Sequence, residues 1–408
     1  MTRSALFVRR RRTFGGIALV VLMTATLAAG FHQAADSMKP AAAGTSLKAD
    51  VSGTPLSPAD RTALVWRQRI TGHLSPKSVV ASSDGLVTAQ NMMYTHTVSV
   101  FTPDGRLKKT IDDSVDLSQF GIDGHPGISR GAPVEAAFSH DGKHIYVSNY
   151  TMSGKNFGPE GLDTCRPASA PDKSFLYRID TTTLKIDQVI PVGAVPKYVA
   201  VTPDDSTVLV TNWCSWTVSV VDVKAARLVA TIPIGGAYPR GIAITPDSKT
   251  AFIAVMGSRR IAKVDLASRE VSTFAHTGDG PRHIVISPDG KYLYVTNNTS
   301  GTVSKVDAAD GTVLTTVSTG QQPRSMAISG DGLAIYVANY GSSTVSKLRA
   351  SDLRLIAKTA TDNHPIGIAY EPTTGSVWVA CYGGSIIVFD DNKLVASGPD
   401  ATAPRRAK

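Results

Sequence analysis

Residues 281–297 read PRHIVISPDGKYLYVTN, and the same frame returns along the chain. PKYVAVTPDDSTVLVTN starts at Pro196, PRGIAITPDSKTAFIAV at Pro239, PRSMAISGDGLAIYVAN at Pro323 and PIGIAYEPTTGSVWVAC at Pro365, so successive copies lie 43, 42, 42 and 42 residues apart. PVEAAFSHDGKHIYVSN from Pro133 and PKSVVASSDGLVTAQN from Pro76 lie upstream, at spacings of 63 and 57 that amount to one 42-residue period plus insertions of 21 and 15. Each copy begins with a short β-branched run, turns at a Pro-Asp-Gly-like hairpin signal and continues in a second alternating run. A third strand of the Val303–Asp307 type and a fourth of the type starting at Leu228 complete the unit. A helical repeat fails, because every unit alternates with period two and is punctuated by Pro and Gly at both ends. Seven four-stranded units at this period predict an all-β fold, a seven-bladed β-propeller over residues 60–398. Residues Ala63 to Ile70 match the fourth strand of a unit and are expected to close the ring, with Lys393 to Ser397 as the alternative closer.

The frame P-D-G-x-x-x-Y-V-T-N, with YVTNN from Tyr294, resembles the YVTN-repeat β-propeller family, including its exported YncE-like group, over roughly residues 60–398. The resemblance implies the fold. It does not choose among the functions this scaffold hosts, which include surface proteins, nucleic-acid binders and enzyme subunits.

The formal charge of +9 is concentrated at the ends. Five Arg and no acid fall in residues 1–35, and Arg405, Arg406 and Lys408 face only Asp400 in the tail 399–408, so the body is close to neutral. A near-neutral body has no global field for a polyanion, which makes nucleic acid a weak candidate and any basic site a local one. The Arg run followed by the uncharged stretch Thr13 to Ala35 reads as a signal peptide or signal anchor over residues 1–35. Residues 36–59 read as a flexible linker and 399–408 as a disordered basic tail. The expected location is therefore outside the cytoplasmic membrane, with membrane attachment only through the N-terminal segment and a monomeric body.

In an antiparallel blade the Gly-x-x-Pro loops share one face with the loops that follow Tyr-Val-Thr-Asn. We term this the top face. Both insertions fall there, at about residues 111–130 and at Thr151 to Lys173. The residue after each repeat Pro should stand near the channel mouth, and the seven are Lys77, Val134, Lys197, Arg240, Arg282, Arg324 and Ile366. Five cations of seven point to an anion-binding funnel, or else to a consensus Pro-Arg that bonds neighbouring blades. One residue further on stand Ser78, Glu135, Tyr198, Gly241, His283, Ser325 and Gly367, of which Glu135 and His283 are the candidate acid and base. Tyr150, Trp213 and Tyr340 flank the Asn position and would stack on a ligand or pack between blades. Cys165 in the second insertion and Cys214 in the matching loop of the next blade are candidates for a disulfide. Asp112, Asp113, Asp116 and Asp123 lack an ordered calcium-ligand spacing.

No GxSxG, HExxH or GxxxxGK[ST] occurs, and no cofactor or metal is expected. The sequence favours an exported, non-catalytic binding or scaffold protein that presents a basic, aromatic-rimmed channel face to an anionic ligand, a cell-envelope polymer or a protein. The alternative is a lactonase-like hydrolase or lyase acting in the channel through Glu135 and His283.

Overall fold

The structure, a computed structural model, describes residues 56–394 apart from residue 162. The expected signal, most of the linker, the basic tail and residues 395–397 of the alternative closer lie outside the described residues. The chain forms seven antiparallel sheets, and the inner strand of each neighbours the inner strand of the next. The last, Pro365–Glu371, returns to the first, Ser78–Ala81, so the ring is closed. Blades 1 and 3–6 each run through four consecutive strands from the channel outward.

Ring closure falls to the N-terminal strand. Thr62–Ile70 pairs antiparallel with Ser385–Leu394 and becomes the outer strand of blade 7. Lys393 belongs to its partner, opposite Ala63. Blade 2 departs from the four-strand expectation. The first insertion supplies a fifth strand, Ser114–Asp116, which pairs with the start of the long inner strand Ile128–Phe138. Extra length in the connection was thus used to extend the blade at its top.

The repeated Asn has a local cause. Asn297 donates from Nδ2 to Thr302 Oγ1 at 3.0 Å and Ser304 Oγ at 2.9 Å. Asn212 bonds Thr217 and Ser219, and Asn339 bonds Thr344 and Ser346, in the same way. One buried amide therefore ties the second strand of a blade to the Thr-x-Ser of the third. In blades 3, 5 and 6 the Gly three residues before the Pro makes room for it. A Cβ on Gly320 would stand 2.7 Å from Asn339 Cγ, and one on Gly193 2.5 Å from Asn212 Cγ. Blade 7 breaks both positions together, with Cys381 in place of Asn and Asp362 in place of Gly. There Ser385 donates to Asp362 instead. Burial pushes the Cys381 thiol up to about 12, so it stays a protonated core group.

Apolar clusters join neighbouring blades. Phe252 and Ile261 of blade 4, for example, pack with Ile284, Leu293 and Val306 of blade 5. Each such side chain contributes about 1.5–3 kcal/mol by leaving water. Gly241 and Gly367 let inner strands approach closely: their Cβ atoms would sit 2.9 Å from Arg282 O and 2.8 Å from Ser78 Cα.

Candidate functional site

The inner strands open with Pro, so the next residue on each projects at the channel mouth. Lys77, Lys197, Arg240, Arg282 and Arg324 converge there. Arg240 and Arg282 are 8% exposed and Lys197 5% exposed. Burial lowers the Lys77 ammonium to about 7, and repulsion from Arg240, Arg282 and Arg324 adds to it. Arg282 is held well below its ordinary value, first by burial and then by Arg240 and Arg324. The three guanidinium groups and Lys77 therefore feel one another across a common space.

Among the described residues no ion pair includes Lys77, Arg240, Arg282 or Arg324. The Nε of Arg282 and the Nε of Arg324 are buried and have no hydrogen-bond partner. Arg282 makes one weak contact, Nη1 to Met256 Sδ at 3.9 Å. Consensus Pro-Arg pairs bonding the neighbouring blades would have satisfied these donors, and they are not satisfied.

Lys197 differs. Its Nζ lies 3.2 Å from Asp163 Oδ1, 4.0 Å from the centre of the Tyr150 ring and 5.4 Å from that of Trp213. Tyr150 donates its hydroxyl to Asp163 Oδ1 at 2.8 Å, and Trp213 donates Nε1 to Asp163 O at 2.8 Å. The loop carrying Asp163 is fastened by a disulfide between Cys165 and Cys214, whose Cα atoms are 5.3 Å apart. Tyr150, Trp213 and Lys197, named from sequence as ligand contacts, are instead buried beneath the second insertion. Sequence reasoning missed Asp163, although its place two residues before Cys165 was a usable signal. Despite the cost of burial, Lys197 and the Tyr150 hydroxyl hold its carboxyl below the ordinary value.

On the far side of the mouth the aromatics remain accessible. The Arg324 guanidinium lies 3.7 Å from the Tyr340 ring centre, and Tyr340 stacks on His364 at 4.4 Å. Lys77 Nζ lies 5.3 Å from the ring of Tyr382, which is 37% exposed, and Tyr94 is 88% exposed.

Below the cations the channel encloses a cavity of about 240 Å³ lined by Ser78, Glu135, Tyr198, His283, Ser325 and Tyr370, among others. Glu135 and His283 thus share one space, as a common substrate would require. The Tyr198 hydroxyl lies 3.3 Å from His283 Nε2, and Ser325 Oγ lies 3.5 Å from Nδ1. Burial raises the Glu135 carboxyl to about 7 against the pull of Arg240 and the Ser78 hydroxyl. Burial, then Arg240 and Arg282, depress His283 to about 3, so the imidazole is neutral at pH 7.

Asp113 is 2% exposed with both carboxylate oxygens unpartnered, and burial pushes it up to about 8. Arg130 approaches it at 3.9 Å, and among the described residues no group of three or more His, Cys, Asp or Glu is arranged to hold a metal ion.

Fold and site define a seven-bladed β-propeller with a cationic channel mouth. Residues 257–388 match the family described as the cytochrome D1 heme domain. Among solved structures the chain is similar to Kuenenia stuttgartiensis hydrazine synthase, with a TM-score of 0.62 and 19% identity over 79% of this chain and 98% of that one. At that identity the likeness carries the fold. No curated protein matched the chain.

Proposed function

We propose that this chain is a binding protein of the YVTN-repeat, YncE-like group that captures a small anionic group in the mouth of its channel. One observation carries the proposal: buried guanidinium donors of Arg282 and Arg324 without partners, inside a ring of cations with too few carboxylates to neutralise it. Like charges held together out of water are costly unless an anion shields them. A planar guanidinium fork suits a carboxylate or phosphate oxygen pair. Export is supported by the Arg run ahead of the apolar segment and by the disulfide, which persists in oxidising compartments.

A haem does not fit within the channel of this chain. The cavity of about 240 Å³ is below the roughly 300–1,000 Å³ of common ligand sites, and both ring nitrogens of His283 already face hydroxyls. The matched segment spans parts of four blades, which supports kinship of the repeat and not a shared cofactor.

The test is thermal unfolding with inorganic phosphate, citrate and a short single-stranded oligonucleotide at low and moderate salt. Stabilisation that fades with salt and disappears in Arg282→Met supports the mouth as an anion site. Equal stabilisation of the wild type and Arg282→Met would place binding elsewhere.

A further inference from the structure

A polar cleft of about 710 Å³ lies on the top face beside the mouth, between blades 5 and 6. Its lining includes Asn298, Thr299, Thr319, Gln321, Gln322 and Ser342, and the remainder is serine and glycine. No charged side chain and no large apolar one contributes. The cleft is continuous with the cation ring through the chain itself. Gln322 precedes Pro323 and Arg324, while Gly341 and Ser342 follow Tyr340, the ring beneath the Arg324 guanidinium. Asn298 Nδ2 reaches Pro323 O at 3.4 Å across the two blades.

One lining group stands out. Thr319 is 6% exposed, and its Oγ1 is buried without a partner, although its carbonyl accepts from Lys358 at 2.6 Å. A buried hydroxyl left unpaired costs stability, and a hydrogen-bonding ligand would recover that cost. Hydroxyl and carboxamide side chains both donate and accept. A neutral lining of this kind complements a ligand rich in hydroxyls. A nucleic-acid strand would call for cations along its phosphates. A peptide anchor would call for an aromatic or apolar pocket.

Building on the anion-binding mouth, we propose that the ligand is a small oligosaccharide charged at one end. Its terminal carboxylate or phosphate sits among Arg240, Arg282 and Arg324, and its neutral sugars lie in the cleft between blades 5 and 6. The Tyr340 ring stands where the two subsites meet.

The experiment is calorimetric titration of the whole chain with inorganic phosphate, glucose 6-phosphate and trisaccharides of glucose, galactose or N-acetylglucosamine. Each trisaccharide is supplied with a terminal phosphate, with a terminal carboxylate and uncharged. A trinucleotide serves as the competing class. The expected result is that at least one end-charged trisaccharide binds about tenfold more tightly than glucose 6-phosphate. Thr319→Val should weaken that trisaccharide about threefold to tenfold while leaving inorganic phosphate unchanged. Because the substitution removes an orphan hydroxyl at constant shape, its Tm should be equal to or above that of the wild type. The better of the carboxylate and phosphate arms identifies the terminal group. Trisaccharides that bind no better than phosphate, or a Thr319→Val variant that weakens phosphate equally, would overturn the cleft and leave the mouth standing. Loss of phosphate binding itself would overturn the mouth. A trinucleotide that outbinds every sugar would replace the saccharide with nucleic acid.

Discussion

Two sets of buried charges in this propeller are handled in opposite ways. Where the ring closes, Lys347 and Asp391 are both fully buried and paired. Lys347 Nζ also donates to Thr62 O at 2.7 Å and to Thr62 Oγ1 at 2.8 Å, and Tyr336 donates its hydroxyl to Asp391. The pair latches the N-terminal strand to blades 6 and 7. At the channel mouth Arg240 and Arg282 are buried and Arg324 is half-buried among further cations, and among the described residues none of the three has an ion-pair partner. A satisfied pair commits its charges to structure. An unsatisfied ring holds interaction energy in reserve for something that arrives from solution.

The strongest test of this contrast is to orphan the latch. Asp391→Asn leaves Lys347 as an uncompensated buried charge, and unfolding by urea should show a loss of about 3–5 kcal/mol. Lys347→Met combined with Asp391→Leu should recover most of it. A small loss from Asp391→Asn alone would mean that the latch charges are hydrated and the contrast with the mouth is false.

The next effect is a pH dependence hidden by cancellation. Glu135 has a folded value of about 7, above its ordinary 4.5, so its contribution to stability falls as pH rises between those values. His283 has a folded value of about 3, below its ordinary 6.5, so its contribution is complete above 6.5 and declines as pH falls toward 3. Across pH 4.5–6.5 the two slopes oppose each other. Glu135→Gln should unmask His283, making the variant roughly 2–3 kcal/mol less stable at pH 4.5 than at pH 7. A wild-type protein and variant with parallel pH profiles would refute the assignment.

Arg282→Met should act in the direction opposite to orphaning the latch. Removing one charge from an unpaired set should raise stability by about 1–2 kcal/mol while abolishing anion-induced stabilisation. Destabilisation by this substitution would show that Arg282 is structural after all. The smallest effect concerns Asp163, which among the described residues is the mouth's ion-pair partner, at Lys197. Its side chain is 65% exposed, so the pairing is screened. Asp163→Asn should tighten phosphate binding about twofold to threefold at low salt, as read by calorimetry. Weaker binding would mean that Asp163 orders the site and does not compete with the ligand.

Much of this was legible one residue at a time. The repeat, the seven blades and the five cations follow from spacing and alternation, because each blade is a local unit whose register is set by its own turns, whereas the sequence offered two closing strands and the fold chose Thr62–Ile70. Glu135 and His283 were legible as neighbours of the ring, since the inner strands repeat in phase. Asp163 had only its closeness to Cys165 as a signal, because an insertion has no repeat to give it a position. The burial of Tyr150 and Trp213 was not legible, because it depends on where that insertion folds.

Period and pleat are properties of the chain read in order, and they suffice for a β-propeller of seven blades and for which side chains stand on its inner strands. Which of the charges are satisfied is a property of the folded ring. Pairing depends on what neighbouring blades and the insertion bring together: Lys347 of blade 6 meets Asp391 of blade 7, and Lys197 of blade 3 meets Asp163 of the blade 2 insertion. Folding gave Lys347 a partner, brought Asp163 over Lys197 and, among the described residues, left Arg240, Arg282 and Arg324 without an ion pair.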